Sequence, residues 1–442
     1  MKKLIALMLA LVLSVAAFGC NNAPADDEKG GEGDGAKVYN VVNLVNGNLG
    51  DKSFFDSAES GLKELADAGR ITYKTIEMGG TDADQPTWKT TLDDVSSSGE
   101  YDLVICGTYQ MPEYLNEIAA KYPDQKYLIY DSEASQPNVV NINYKQNDMG
   151  YLVGVFAAAM TTETSVANIN EQAVVGFVGG VDSPVINDFL YGFIQGAQAT
   201  NADVKVDTRY VNSYTDTATA KELALSMIND KGCDIVWGVA GLSGNGAAEA
   251  ALESGKAWFI GVDSDQELTL DAETAAITLT SGLKNIGQSL VWFFDEWDAG
   301  NGHFGENILL GINEGGVGIV TDKNFAKVAP QGVQDKVNEA IKAVSEGTIQ
   351  VGTAIGDETG AAETLRESVR PYPKPQVAGR PQAGRFGLIY ATSRGRADLS
   401  WLSSVCFIRK GGDTTNAAKR IRCADEGDHQ GIPQRHCRKP GR

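Results

Sequence analysis

The sequence predicts an α/β fold made of two doubly wound lobes joined by a hinge. Two observations predict the class and a third predicts the duplication. Short, nearly continuous apolar runs recur along the chain, among them Leu103-Val104-Ile105-Cys106 and Ile235-Val236-Trp237-Gly238-Val239. Such runs suit parallel strands covered on both faces. Amphipathic stretches of helical length separate them, the alternation expected of a parallel sheet layered between helices. The pattern of residues 38–145 then repeats at similar length from residue 146.

The first lobe opens with a strand over 38–45 and a helix over 53–68. A strand over 71–78 and a helix over 85–97 follow, then a strand over 103–106 and a helix over 112–121. Strands over 127–130 and 139–143 close this half. Pro86 and Pro112 fall at helix starts, where the missing N–H has no helical partner to lose. A helix over 148–160 opens the second lobe, assigned to residues 146–275. Its strands are expected over 174–178, 204–210, 235–239 and 258–262, with helices over 185–200, 217–230 and 245–254. A strand over 276–280 and a long helix over 283–298 are expected to return to the first lobe, which residues 276–365 complete. A last helix over 332–346 ends the body. Ligands in such sheets bind outside the carboxyl ends of the strands, so two lobes in series place a cleft between them.

Composition divides the chain unevenly. Its 442 residues carry a formal charge of −20, but residues 366–442 hold 16 Lys and Arg against 6 Asp and Glu. Residues 1–365 are therefore strongly acidic, which argues against nucleic acid or an anionic membrane surface as the body's partner. Of the 14 arginines, only Arg70 and Arg209 precede that basic stretch. From about residue 370 the amphipathic logic stops. The basic tail, 370–442, is read as a shifted reading frame or misassembled gene end, with a disordered basic arm as the alternative. The spacing of Cys406, Cys423, Cys437, His429 and His436 there matches no zinc pattern.

The N-terminus reads as a signal peptide over 1–19. Lys2 and Lys3 precede a 15-residue apolar run, too short to span a bilayer but suited to a signal h-region. It ends in Ala17-Phe18-Gly19-Cys20, which resembles a bacterial lipobox and makes Cys20 the expected lipidation site. Residues 20–37, rich in Gly, Asp and Glu, form a flexible linker. The mature protein is expected outside the cytoplasmic membrane, held by lipid. In the body, Cys106 and Cys233 are expected as buried thiols, a disulfide between them being the alternative. No feature signals an oligomer, so a monomer is expected.

Five motifs carry a resemblance. They are Asp51-Lys52-Ser53-Phe54, Tyr122-Pro123-Asp124-Gln125-Lys126, the run from Ala240 through Gly246, the run from Gly261 through Gln266, and Glu314-Gly315-Gly316-Val317-Gly318. Together, across residues 38–365, the chain resembles the basic membrane protein (BMP) family of ABC-transporter substrate-binding lipoproteins, and within it the purine nucleoside receptors. The resemblance implies a periplasmic-binding-protein type I-like fold, a nucleoside ligand, and ABC permease and ATPase subunits as partners. It implies Phe54 as one aromatic face for the base, beside Asp51 and Ser53. Ser213-Tyr214-Thr215-Asp216 stands where the family has a Phe-bearing stretch, so Tyr214 becomes the second face. Asp131 would bond the base edge, and Gly241, Asp263 and Lys284 the ribose. Phe55 and Leu242 depart from the residues relatives often carry.

These residue types suit that ligand. Two aromatics can clamp a flat base, each stack contributing about 1–3 kcal/mol. A carboxylate can accept both hydroxyls of a vicinal diol, and an ammonium can donate to their lone pairs. Each residue also has a structural reading: Phe54 as core, Asp131 and Asp263 as turn caps, Lys284 as a solvated lysine. The single body histidine, His303, lies in a polar loop, and neither a nucleophile–base pair nor a zinc ligand set is present. No catalytic residue, metal or cofactor is expected. A sugar or another small polar solute in the same cleft, or a lipid-tethered sensor, are the alternatives.

Overall fold

Among the described residues, twelve strands fall into two sheets whose strand orders are the same. The computed structural model describes residues 37–371; the signal peptide, the lipobox and the tail lie outside the described residues. The first sheet is built from β1 (Tyr39–Val45), β2 (Ile71–Glu77), β3 (Leu103–Gly107), β4 (Lys126–Tyr130), β5 (Val139–Tyr144) and β11 (Asn307–Leu310). Its order is β2-β1-β3-β4-β5-β11, all parallel. The second is built from β6 (Val174–Gly179), β7 (Lys205–Tyr210), β8 (Ile235–Val239), β9 (Trp258–Asp263), β10 (Thr278–Lys284) and β12 (Val317–Ile319). Its order, β7-β6-β8-β9-β10-β12, repeats the first with only β12 antiparallel. Both are doubly wound sheets, whose crevice lies at the carboxyl ends of the strands beside the switch in order.

Helices fill both faces of each sheet. The first lobe carries α1 (Phe54–Asp67), α2 (Gln85–Ser98) and α3 (Pro112–Lys121). The second carries α4 (Gln146–Met160), α5 (Pro184–Thr200), α6 (Thr217–Lys231) and α7 (Gly244–Ser254), then the short α8 (Gln266–Thr269) and α9 (Ala272–Ala276). After β10 come α10 (Ile286–Asp298), α11 (Lys323–Val328), α12 (Gln331–Ser345) and α13 (Ala361–Ser368). The central strands are buried on both sides, as their apolar runs require; β3 and β8 are buried throughout. Trp88 and Trp237 are fully buried packing residues. Cys106 and Cys233 are buried free thiols.

The structure departs from the expected lobe boundary after residue 275. β10 stays in the second lobe, parallel to β9. The reason is the connection: α8 and α9 make a short crossover, and consecutive parallel strands joined in this way stay neighbours in one sheet. Only α10, which packs on α1, and β11 return to the first lobe. β12 pairs with β10, and α12 packs on α4. Among the described residues the chain therefore crosses between lobes three times, at β5–α4, β10–α10 and β11–β12. Three adjacent crossings define the hinge, and they leave the strand ends of the two lobes facing one cleft.

Candidate functional site

The loops at the carboxyl ends of β1, β3, β4, β6, β7, β8, β9 and β10 line one cavity of about 760 Å³, counted out to its open mouth. Of the eight residues expected at a ligand, seven line it: Asp51, Phe54, Asp131, Tyr214, Gly241, Asp263 and Lys284. Ser53 is the exception. It is fully buried behind the wall, and its hydroxyl donates to Asp263 Oδ2 at 2.9 Å.

Asp51 lines the cavity, but its carboxylate is engaged elsewhere. It accepts from the backbone N–H groups of Ser53, Phe55 and Asp56 at 2.8–3.1 Å. These are the free donors of the first turn of α1, which a carboxylate satisfies well. Burial raises its pKa to about 6 against those hydrogen bonds. Asp51 thus fixes the loop that presents Phe54, with both of its oxygens engaged by backbone N–H groups.

Phe54 leaves the start of α1 into the cavity. It is backed edge-on by Phe55, 5.1 Å between ring centres, and by Tyr130 at 5.4 Å. The Phe55 ring itself lies over Gly47, where a Cβ would stand 2.3 Å from it. Tyr214 enters from the other lobe, after β7. Its ring lies over Gly180, where a Cβ would stand 2.4 Å from Cε1. Gly241 follows β8 at φ +54°, a left-handed turn that brings backbone to the cavity wall.

Three ionisable groups meet at the floor. Asp131 directly follows β4 and Asp263 ends β9, the matching strand in the repeated sheet. Both hold a left-handed backbone, φ +61° and +63°, which is strained for a residue with a Cβ. Lys284 ends β10, is 1% exposed, and donates to Asp131 Oδ1 at 2.5 Å. Its Nζ lies 4.5 Å from the centre of the Phe189 ring, a cation–π contact in a dry setting. Burial raises the Asp131 pKa, opposed by the Lys284 ammonium. Burial pushes Asp263 up to about 7, again opposed by Lys284 and by the Ser53 hydroxyl. The solvated-lysine and simple-cap readings do not describe these buried groups.

Two buried acceptors at the cavity have no partner among the described residues. One is Asp263 Oδ1. The other is Asn46 Oδ1, which sequence reasoning missed. Asn46 is 4% exposed, and its amide nitrogen is held by Thr108 Oγ1 at 2.7 Å and Gln110 Oε1 at 3.4 Å. That arrangement turns its oxygen away from those partners. Unpaired buried acceptors are costly unless something else donates to them. A bound molecule with N–H or O–H groups facing both would satisfy them. Phe189, on α5, was also missed; its only sequence signal was an apolar helix.

Comparison with known proteins gives a consistent picture. Residues 38–353 match the family model described as ABC transporter substrate-binding protein PnrA-like. A CD4+ T-cell-stimulating antigen of Listeria innocua is 30% identical over 370 residues, covering 79% of this chain and 98% of that protein. The ABC transporter nucleoside-binding protein BmpA of Lactococcus lactis is 28% identical over 364 residues, covering 79% and 99%. Among solved structures, an ABC transporter system solute-binding protein from Aeropyrum pernix K1 superposes with a TM-score of 0.59 at 26% identity, covering 75% of this chain and 91% of that one.

Proposed function

The chain belongs to the PnrA-like family of ABC transporter substrate-binding proteins, and from that premise we propose that it captures a nucleoside between its lobes for delivery to an ABC permease. The observation that carries this reading is one cavity with aromatics from both lobes, Phe54 and Tyr214, above a floor where buried Asp263 keeps one oxygen unpartnered. The name of the Lactococcus lactis relative supports it. In this reading the base lies between the two rings. Asn46 Oδ1 accepts from a donor on its edge, and Asp131 with Lys284 forms a hydrogen-bonded ion pair of no net charge. Asp263 Oδ1 accepts from the ribose hydroxyls. Both lobes must close on the ligand, so binding favours the closed hinge, and the permease reads closure as occupancy. Cys20 would hold the protein to the outer face of the membrane by lipid. Among the described residues no helix is long and apolar enough to cross a membrane.

A thermal-shift panel of nucleosides, free bases, sugars and amino acids tests the reading. A ligand at about 1,000 times its Kd adds about 4 kcal/mol to the folded state. Stabilisation by nucleosides alone is the expected result. A flat nucleoside response beside a shift with sugars or amino acids would transfer the cleft to another solute. In the same assay Phe54→Ala is expected to weaken nucleoside binding by about 1–3 kcal/mol, measured by calorimetry; unchanged affinity would remove Phe54 from the clamp.

The charge state of Asp263 makes binding depend on pH. Its carboxyl, raised to about 7, must be ionised to accept from two hydroxyls. Below pH 7 binding therefore releases a proton, and Kd is expected to weaken about tenfold from pH 7.5 to 6. Calorimetry in buffers of different ionisation enthalpy counts that proton. A Kd that stays flat or tightens on acidification would mean that the neutral acid is the binding form.

A further inference from the structure

Loop 51–53 of the first lobe is gripped by side chains of the second lobe that do not line the cavity. Asn245 Nδ2 donates to the Asp51 carbonyl at 3.3 Å. Gln266 Nε2 and Thr269 Oγ1 both donate to the Lys52 carbonyl, at 3.2 and 2.9 Å. Ser264 Oγ donates to the Ser53 carbonyl at 2.9 Å. The loop offers these carbonyls because its shape is already fixed. Lys52 is left-handed at φ +63°, its N–H bonds Asp56 Oδ2 at 2.9 Å, and Asp51 caps α1.

We infer that Ser264, Gln266 and Thr269 form a closure latch: positioning residues that set the affinity of the cleft by stabilising the closed hinge, without touching the ligand. Gln266 is held ready for this inside its own lobe. It is 2% exposed, its Oε1 accepts from the Val262 N–H at 3.0 Å, and its own N–H donates to Ser281 Oγ at 3.0 Å. Val262 immediately precedes Asp263, so one side chain ties the backbone that presents Asp263 to the opposing loop that presents Phe54. Closure also brings the Ser53 hydroxyl to Asp263 Oδ2, leaving Oδ1 for a ligand. A protein whose binding-competent state is fractionally populated binds with its affinity scaled by that fraction. A latch therefore changes every ligand's affinity by one factor and leaves their order alone. The inference rests on the cleft being a ligand site and not on which ligand fills it.

Thr269→Val and Ser264→Ala test it, alone and together, because each removes a hydroxyl and little else. With the full chain and a nucleoside panel as probes, each substitution is expected to raise every measurable Kd by the same factor, about two- to tenfold for one hydrogen bond, mostly through faster dissociation. Thr269→Ser should restore the wild-type value. Small-angle scattering of the ligand-free double variant should show a larger radius of gyration than wild type. Loss confined to one base would place these residues in the site and overturn the latch, as would unchanged Kd values. If no nucleoside binds even the wild type, the proposed ligand fails separately. The scattering then decides the latch: a larger radius supports it, and an unchanged one overturns it.

Discussion

Lys284→Met is expected to lower the stability of the unliganded protein by about 3–5 kcal/mol at pH 8 and to abolish nucleoside binding. The figure is that for stranding one partner of a buried ion pair. Lys284 is the group that opposes burial at both Asp131 and Asp263. Without it, two carboxylates face each other in a dry site with no counter-charge. The sign of the pH dependence follows. An acid whose folded pKa lies above its unfolded value of about 3.9 holds more protons folded than unfolded, so it costs stability as pH rises through that interval. Methionine raises the folded pKa of both acids further, which widens the interval upward. The deficit against wild type should therefore be largest at pH 8 and shrink towards pH 5, as acidification protonates the stranded carboxyls. Urea unfolding at the two pH values measures it. Adding Asp131→Asn should recover most of the stability but not the binding, because the pair's polar edge is gone. An equal deficit at both pH values would show that lost packing of the lysine stem, and not stranded charge, is responsible.

How much of this could be read from the residues differs from element to element. β3 and β8 were legible because burial on both faces leaves no room for polar residues. The lobe of β10 was not. Thr278, Thr280 and Ser281 are buried with their hydroxyls bonded to backbone or serving Gln266, so the strand lacks the apolar signature of its neighbours. Nothing local says which sheet receives it. At the site, Phe54, Tyr214, Asp131, Asp263 and Lys284 came from the family resemblance, the first two and Asp263 within motifs, and all five line the cavity. Ser53 and Asp51 were found by the same motif, but their work is one step removed: Ser53 orients Asp263, and Asp51 caps α1. A motif marks a turn that matters without saying which side chain in it meets the ligand. Asn46 escaped because a polar residue after a strand is unremarkable until its amide nitrogen is seen to be spoken for and its oxygen left bare. Gln266 lies inside a motif, yet its partner is a backbone carbonyl in the opposite lobe, far away in sequence.

Gly196→Ala is expected to cost about 3 kcal/mol or more, although Ala for Gly inside a helix ordinarily gains up to about 1 kcal/mol. The reason is the contact between α4 and α5. All of the 15 residues of α4 except Asp148 are buried, and the two helices meet backbone to backbone. A Cβ at Gly192 would stand 2.0 Å from the Asn147 carbonyl oxygen, and at Gly196 2.0 Å from that of Tyr151. In the other direction, a Cβ at Gly150 would stand 2.3 Å from the Phe189 oxygen and at Gly154 2.1 Å from that of Phe193. Each helix carries two glycines four residues apart, so each backbone fits against the other's. A methyl there meets main chain, which cannot rotate aside, and overpacking of this kind is usually worth 1–3 kcal/mol and sometimes more. The effect should reach the ligand as well. Phe189 on α5 lines the cavity, and the Ser183 that caps α5 abuts Tyr214; α4 begins at a hinge crossing. A displaced α5 moves one wall of the cleft, so the variant should bind nucleosides more weakly even at temperatures where it is fully folded. Gly332→Ala, on the exposed face of α12, is the control. A Cβ there meets nothing within 4 Å, so the same substitution should leave stability unchanged or raised. Thermal unfolding of the two variants beside wild type separates the intrinsic preference of alanine from the closeness of the helices. Equal responses at both positions would mean that α4 and α5 can move apart at no cost, and that the paired glycines do not hold the wall of the site.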